Sequence, residues 1–273
     1  MYQINLFDPF SLFIKKHQLI FQIKSKKTMM RCFPLLLLFF VLACGKNETE
    51  TLQKVGAEYY PLTIGKSITY QIDSIIYDTS AQGVKMDTFH LQAKEVIKDT
   101  FRNILGNLMY RIERFERKNE SAAWDIKNIF AAQLTDNQAI RLENNMMFLK
   151  FPMPVFENQT WDGNVFIDAG LKIIVAGETI EPFSKKWTFS TESIGKSETI
   201  NNKPFTEVLT IKAQTDPKIL TEWRYQLEKY AKGIGLVYRE VKILDAQRLD
   251  VNIVWEKKAN KGYILRMTVL SYE

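Results

Sequence analysis

Cysteine and histidine are almost missing from this chain of 273 residues: each occurs twice, and all but His90 fall within the first 44 positions. Beyond Cys44 there is no thiol for a disulfide, a thiolate metal ligand or a cysteine nucleophile, so the body must be held by packing alone. A single histidine cannot build a multi-histidine zinc site, and a Ser-His-Asp triad would depend wholly on His90. That residue sits in a strand-like stretch and reads as a surface or strand-face side chain. A complete phosphate loop is missing as well. Ile64-Gly65-Lys66-Ser67 and Ile194-Gly195-Lys196-Ser197 match its end, but Tyr60 and Ser190 stand where the earlier glycine belongs, so both read as turns. No catalytic residues, no metal ligands and no cofactor site emerge, and no enzymatic activity is expected. Long apolar runs are equally scarce. The run from Cys32 to Ala43 is followed at once by Lys46, Glu48 and Glu50, too short for the roughly 18 apolar residues that a membrane-spanning helix needs.

What is present in that region is a short basic start, Met29-Met30-Arg31-Cys32-Phe33-Pro34, an apolar core from Leu35, and the close Val41-Leu42-Ala43-Cys44-Gly45. This stretch resembles a bacterial lipobox. The resemblance implies cleavage before Cys44, with a diacylglyceryl group on its sulfur and an acyl chain such as palmitate on its nitrogen. Three chains would hold the protein on a membrane it does not cross. Residues 29–43 are then the signal peptide, and residues 1–28 an upstream extension in front of a true start at Met29 or Met30. Gly45, where an Asp would signal retention in the inner membrane, favours the outer membrane by the same resemblance, on its periplasmic or cell-surface face. Residues 44–57 read as a lipidated, polar tether.

Removing the leader changes the charge argument. The chain carries a formal net charge of +6, but residues 1–43 hold six of its 37 basic groups and one of its 31 acids, which leaves the remainder near +1. A nucleic-acid footprint is therefore not expected.

Residues 58–273 read as one β-rich domain. Ile68, Tyr70 and Ile72 alternate, as do Leu108, Tyr110 and Ile112, and further alternating runs cover Phe205 to Ala213, Leu236 to Leu244, Val251 to Trp255 and Tyr263 to Val269. With the turns Asp162-Gly163-Asn164 and Asn201-Asn202-Lys203 between some of them, these runs predict an antiparallel sheet with one wet and one buried face. Ile75 and Tyr77 break the parity of Ile68 to Ile72, which calls for a bulge near Ser74 or a strand buried on both faces. Ile219 to Ala231 suits a helix or a strand, and we assign a strand because the glycines of Lys232-Gly233-Ile234-Gly235 allow a tight turn or bulge. Ser121 to Leu134 is assigned as a helix on its alanine-rich opening.

The phrases Tyr59-Tyr60-Pro61-Leu62 with Gly65 and Tyr70, Trp161-Asp162-Gly163-Asn164, and Tyr230-Ala231-Lys232-Gly233-Ile234-Gly235-Leu236-Val237 are similar to those of extracytoplasmic bacterial lipoproteins and of the half-barrel carriers of lipoprotein sorting. The resemblance implies a mainly β fold, a single antiparallel, strongly bent sheet of half-barrel or barrel-like form, with at most one or two short helices. It also implies a concave apolar face for an acyl chain or a partner strand.

Contact residues are sought among aromatic side chains. Of Trp124, Trp161, Trp187, Trp223 and Trp255, core packing is the default reading, and Trp161, beside a turn, is the best exposed candidate. Phe151 and Phe156 bracket an apolar segment broken by Pro152 and Pro154, which reads as an edge, a cavity rim or a buried crossing. Asp73, Glu113, Asp162 and Glu240 read as solvated acids. Three functions remain open: a non-catalytic lipoprotein that binds a partner protein or envelope component, a carrier of an apolar ligand or lipid in a β cavity, and a carbohydrate-binding or carbohydrate-active protein. A filled core would dismiss the second. The third needs exposed tryptophan in a cleft.

Overall fold

The computed structural model describes residues 55–80 and 83–273; the leader, Cys44 and nearly all of the tether lie outside them. A 3-10 turn at Ala57–Tyr59 leads into β1 (Ser67–Ser80), β2 (Gly83–Arg102), β3 (Leu108–Arg117), β4 (Asp125–Leu134), β5 (Gln138–Glu143) and β6 (Met146–Pro152). Then follow β7 (Thr160–Trp161), β8 (Ile173–Val175), β9 (Glu178–Ile180), β10 (Thr188–Ile200), β11 (Lys203–Gln214), β12 (Glu222–Ala231) and β13 (Gly235–Asp245). A one-turn helix, α1 (Trp255–Lys258), precedes β14 (Lys261–Tyr272). Twelve strands form one antiparallel sheet in the order β6-β5-β4-β3-β2-β1-β14-β13-β12-β11-β10-β7, and β8 pairs with β9 apart from it. The sheet is thus two meanders joined where β14 returns to pair with β1.

Local sequence explains the hairpins and the curl. Asn144-Asn145 and Asn201-Asn202 both hold positive φ, between 50° and 63°, the conformation of a two-residue hairpin turn that asparagine tolerates better than most residues. At the β12–β13 hairpin, Gly233 takes φ 71° and the register shifts between Lys229 and Tyr230, so this segment supplies both a turn and a bulge. Further register shifts in β1, β2, β3 and β10 bend the sheet until its edges meet. There the backbone N–H of Leu149 donates to the Gly163 carbonyl (2.9 Å), and Trp161 Nε1 donates to the Leu149 carbonyl (3.3 Å). Near-closure removes most of the open edge that a twelve-stranded sheet would present.

Three local expectations need correction. The helix assigned to Ser121–Leu134 is instead β4, paired to β3 and β5. Phe130 and Ala132 are buried while Ile126 and Ile129 are exposed, so tertiary pairing overrides the helical propensity of alanine. Val251 to Trp255 is not a strand but a turn running into α1, since β13 is already flanked by β12 and β14 and has no free edge to offer. There is no register shift at Ser74; the shift in β1 lies at Thr69/Tyr70. The strand is buried on both faces instead. Tyr70 and Ile72 pack inward with Ala93 and Met267, whereas Tyr77 packs with Leu244, Ala259 and Ile264 beside Trp223 and Trp255. The segment between β13 and β14 thus clothes one patch of the outer wall.

Candidate functional site

β12 is amphipathic in the opposite sense to a simple hydrophobic rule. Its inward row is Arg224, Gln226, Glu228 and Tyr230, buried to between 1 and 6 % exposure, while Trp223, Tyr225 and Leu227 occupy the outer parity and are half-buried. Register fixes this choice. Gln226 lies between Ala213 and Val241, and Glu228 between Ile211 and Arg239, and Ala213, Ile211 and Val241 all belong to the main core cluster.

The inward charges pair across the barrel. Arg141 Nη2 meets Glu95 (2.8 Å), and its Nε donates to Glu143. Arg239 Nη1 meets Glu143 (3.0 Å), and its Nε lies 3.3 Å from Glu228 as a coulombic contact without hydrogen-bond alignment. Glu228 in turn accepts from Lys150 (2.5 Å) and Tyr230 (2.6 Å). Arg114 completes the chain between Glu95 (3.5 Å) and Glu116 (2.9 Å). Four carboxylates face four cations, linking β2, β3, β5 and β6 to β12 and β13.

Burial alone would raise the Glu143 and Glu228 carboxyls. The charges of Arg239, Arg141 and Lys150 around Glu143, and of Lys150 and Arg239 around Glu228, hold both below the usual carboxylate range. Burial lowers the Lys150 ammonium despite Glu228 beside it. It also raises the Tyr60 and Tyr230 phenols. A charged layer of this kind is held by mutual pairing, since desolvation would otherwise make each ion prohibitive.

Against this layer lies a cavity of about 320 Å³, at the lower end of the roughly 300–1,000 Å³ found for ligand pockets. Arg114, Glu116, Glu143 and Arg239 form its charged side. Its apolar wall includes Phe148, Phe183, Trp187, Val241, Ile243 and Leu265. Phe183 and Trp187 come from the 162–187 excursion between β7 and β10, where Phe183 contacts both Phe148 (6.4 Å) and Trp187 (6.2 Å). The Trp187 indole is fixed by donating to the Pro182 carbonyl (2.9 Å). A second cavity, of about 60 Å³, lies by Tyr60, Tyr70, Glu95 and Arg141.

The three aromatic candidates from the sequence do not line these cavities. Phe151 is fully buried, edge-on to Tyr230 (5.5 Å) and Tyr60 (5.9 Å), at the end of β6, an edge strand in the sheet order, and Pro154 beyond it is exposed. Phe156 is 58 % exposed. Trp161 is half-buried, its N–H engaged at the closing seam and its ring against Phe189 (5.9 Å). Trp187, with core packing as its reading, is 3 % exposed and lines the first cavity, whereas Phe183, Gln226 and Arg239 carry no local signal of their place there. The opposed polarities on the two faces of β12 were visible, but nothing local says which points inward.

His90 is exposed, with Nδ1 2.6 Å from Asp73 Oδ1. Glu113 is paired with Arg111 and Glu240 with Arg266, and Asp162 accepts from the Asn164 backbone. Gly65 occupies a turn at φ 90°, whereas Gly195, at φ 71°, lies in an irregular part of β10 rather than in a turn between elements. No group of three or more histidine, cysteine or acidic residues suited to a metal occurs among the described residues.

The chain matches no protein-family model and no curated protein. Among solved structures it is similar to a protein from Parabacteroides distasonis provisionally described as a lipoprotein, at 14 % identity over 79 % of this chain and 98 % of that one, with a TM-score of 0.40. It is also similar to a protein from Bacteroides fragilis, provisionally described as exported and as having a YmcC-like fold, at 13 % identity over 78 % and 98 %, with a TM-score of 0.37. At that distance the likeness assigns no activity.

Proposed function

We propose that this chain is a non-catalytic lipoprotein of the outer membrane, anchored through Cys44, whose barrel binds an amphiphilic envelope component in its interior. The cavity of about 320 Å³, with aromatic and aliphatic walls on one side and a paired charged layer on the other, is the observation that carries the reading. A ligand pocket is expected to be mostly apolar with a few placed polar groups. The anchor rests on the lipobox of residues 29–45. The outer wall supports a body that stands in water. Arg111, Glu113, Glu240, Lys242 and Arg266 form ion pairs on it, where a membrane-spanning barrel would carry an apolar band.

A sugar-cleaving reading finds less support, since the carboxylates considered for it have partners of their own and Trp161 is taken up at the seam. Native mass spectrometry of the full chain, extracted from envelopes in mild detergent, tests the proposal. The expected spectrum shows a chain beginning at an acylated Cys44 with a small non-covalent adduct, and Val241→Trp, which fills the cavity, removes the adduct. An unacylated chain, or wild-type and Val241→Trp spectra with the same adducts or none, would overturn it.

A further inference from the structure

The polar groups around the cavity of about 320 Å³ divide into two kinds. Every charged residue lining it already has an opposite charge. Arg239 stands between Glu143 and Glu228, Arg114 between Glu95 and Glu116, and Glu143 between Arg141 and Arg239. Among the neutral amides, Asn128 donates to Asn144 (3.4 Å), and the other two are different. Gln226 is 6 % exposed, its register places it in the inward row with Val241, and its side-chain amide has no hydrogen-bond partner among the described residues. Asn164 lines the same cavity, and its Nδ2 is buried with no acceptor. A buried amide N–H without a partner, as at Asn164, is costly and uncommon in native proteins. Arg239 Nε is likewise buried without an aligned acceptor, but its charge is already met by Glu143 and Glu228, so hydrogen-bonding capacity is left open while charge is balanced.

Taking the interior as a ligand site, as argued above, we infer that its occupant is a small, electrically neutral amphiphile. Its carbonyl or hydroxyl end is held by the amides of Gln226 and Asn164, and its hydrocarbon lies against Phe148, Phe183 and Trp187. A free carboxylate or ammonium would add an uncompensated charge to a layer that is already balanced, at a large desolvation cost. The head is therefore an ester, amide or alcohol rather than an ion. Size narrows the class further. A space of about 320 Å³, near the lower end of the range for ligand pockets, suits a small single-chain molecule.

The test places the full chain in phospholipid nanodiscs with three decyl probes, each carrying a diazirine at the chain end: decanoylglycerol, decanoate and decyltrimethylammonium. After irradiation, peptides containing Trp187 or Val241 are quantified by mass spectrometry at equal bilayer loading. We expect decanoylglycerol to label them at least tenfold more than either ion. Gln226→Met should lower that labelling about tenfold, while Phe156→Ala leaves it unchanged. If Gln226→Met fails to fold, competition on the wild-type chain decides: unlabelled decanoylglycerol displaces the probe, and decanoate and decyltrimethylammonium do not. Preferential labelling by an ion, or labelling indifferent to Gln226→Met in a folded variant, overturns the neutral-head inference and leaves the ligand site standing. Absence of cavity labelling by all three probes overturns both.

Discussion

Single residues show how this interior tolerates charge. Lys150 and Glu228 are 5 and 1 % exposed at the side chain and lie 2.5 Å apart. Removing one partner of a buried pair typically costs about 3–5 kcal/mol, whereas replacing both with apolar groups is often neutral. Because Arg239 and Tyr230 also reach Glu228, Lys150→Met should fall near the lower end, about 3 kcal/mol. Lys150→Met with Glu228→Leu should cost clearly less than the sum of the single changes. Urea unfolding of the three variants measures this, and strict additivity would show that the layer is not coupled. The same residues set an acid limit. A carboxyl held low in the folded state contributes stability that is complete above its unfolded value, about 4.3, and is lost as pH falls toward the folded one. Glu143 and Glu228 are both held low by neighbouring cations, against the effect of burial. The unfolding midpoint should therefore stay flat from neutral pH to about 5 and drop below it. In Glu143→Gln that drop should be shallower, and an unchanged slope would contradict the assignment.

Elements show what the sequence could and could not say. The strands β11, β12, β13 and β14 follow from alternation and from the glycines of the β12–β13 hairpin. β4 does not, because its alanines suit a helix until the neighbours β3 and β5 are known. Which face of β12 turns inward depends on register with Val241 and Ala213, residues outside the strand itself, so the charged layer and the cavity stayed hidden although each of their residues was in plain view. Register also makes one glycine indispensable. Gly262 pairs with Leu244 and Tyr77 at φ 121°, and a Cβ there would sit 1.9 Å from the Ile243 carbonyl oxygen. Gly262→Ala should separate β13 from β14 locally and cost at least about 2 kcal/mol, combining a backbone clash with a disfavoured φ. Amide hydrogen exchange along both strands would reveal the loss, and a variant with wild-type protection would contradict the geometry.

At the scale of the whole molecule, a sheet closed by the Leu149–Gly163 hydrogen bond surrounds an interior that is part rings, part ions and part open space. The excursion from β7 to β10 supplies much of the wall around that space. This arrangement joins the fold to the proposed role, in which an anchored barrel shelters a small greasy molecule. A crystal structure of the chain grown with decanoylglycerol decides whether the interior holds a ligand. Density for the ligand is expected in the cavity, its glycerol ester within hydrogen-bond distance of the Gln226 amide and its chain along Phe183 and Trp187. A cavity left without ligand, with Phe183 and Trp187 collapsed into it and the Gln226 amide bonded to a protein neighbour, would contradict it.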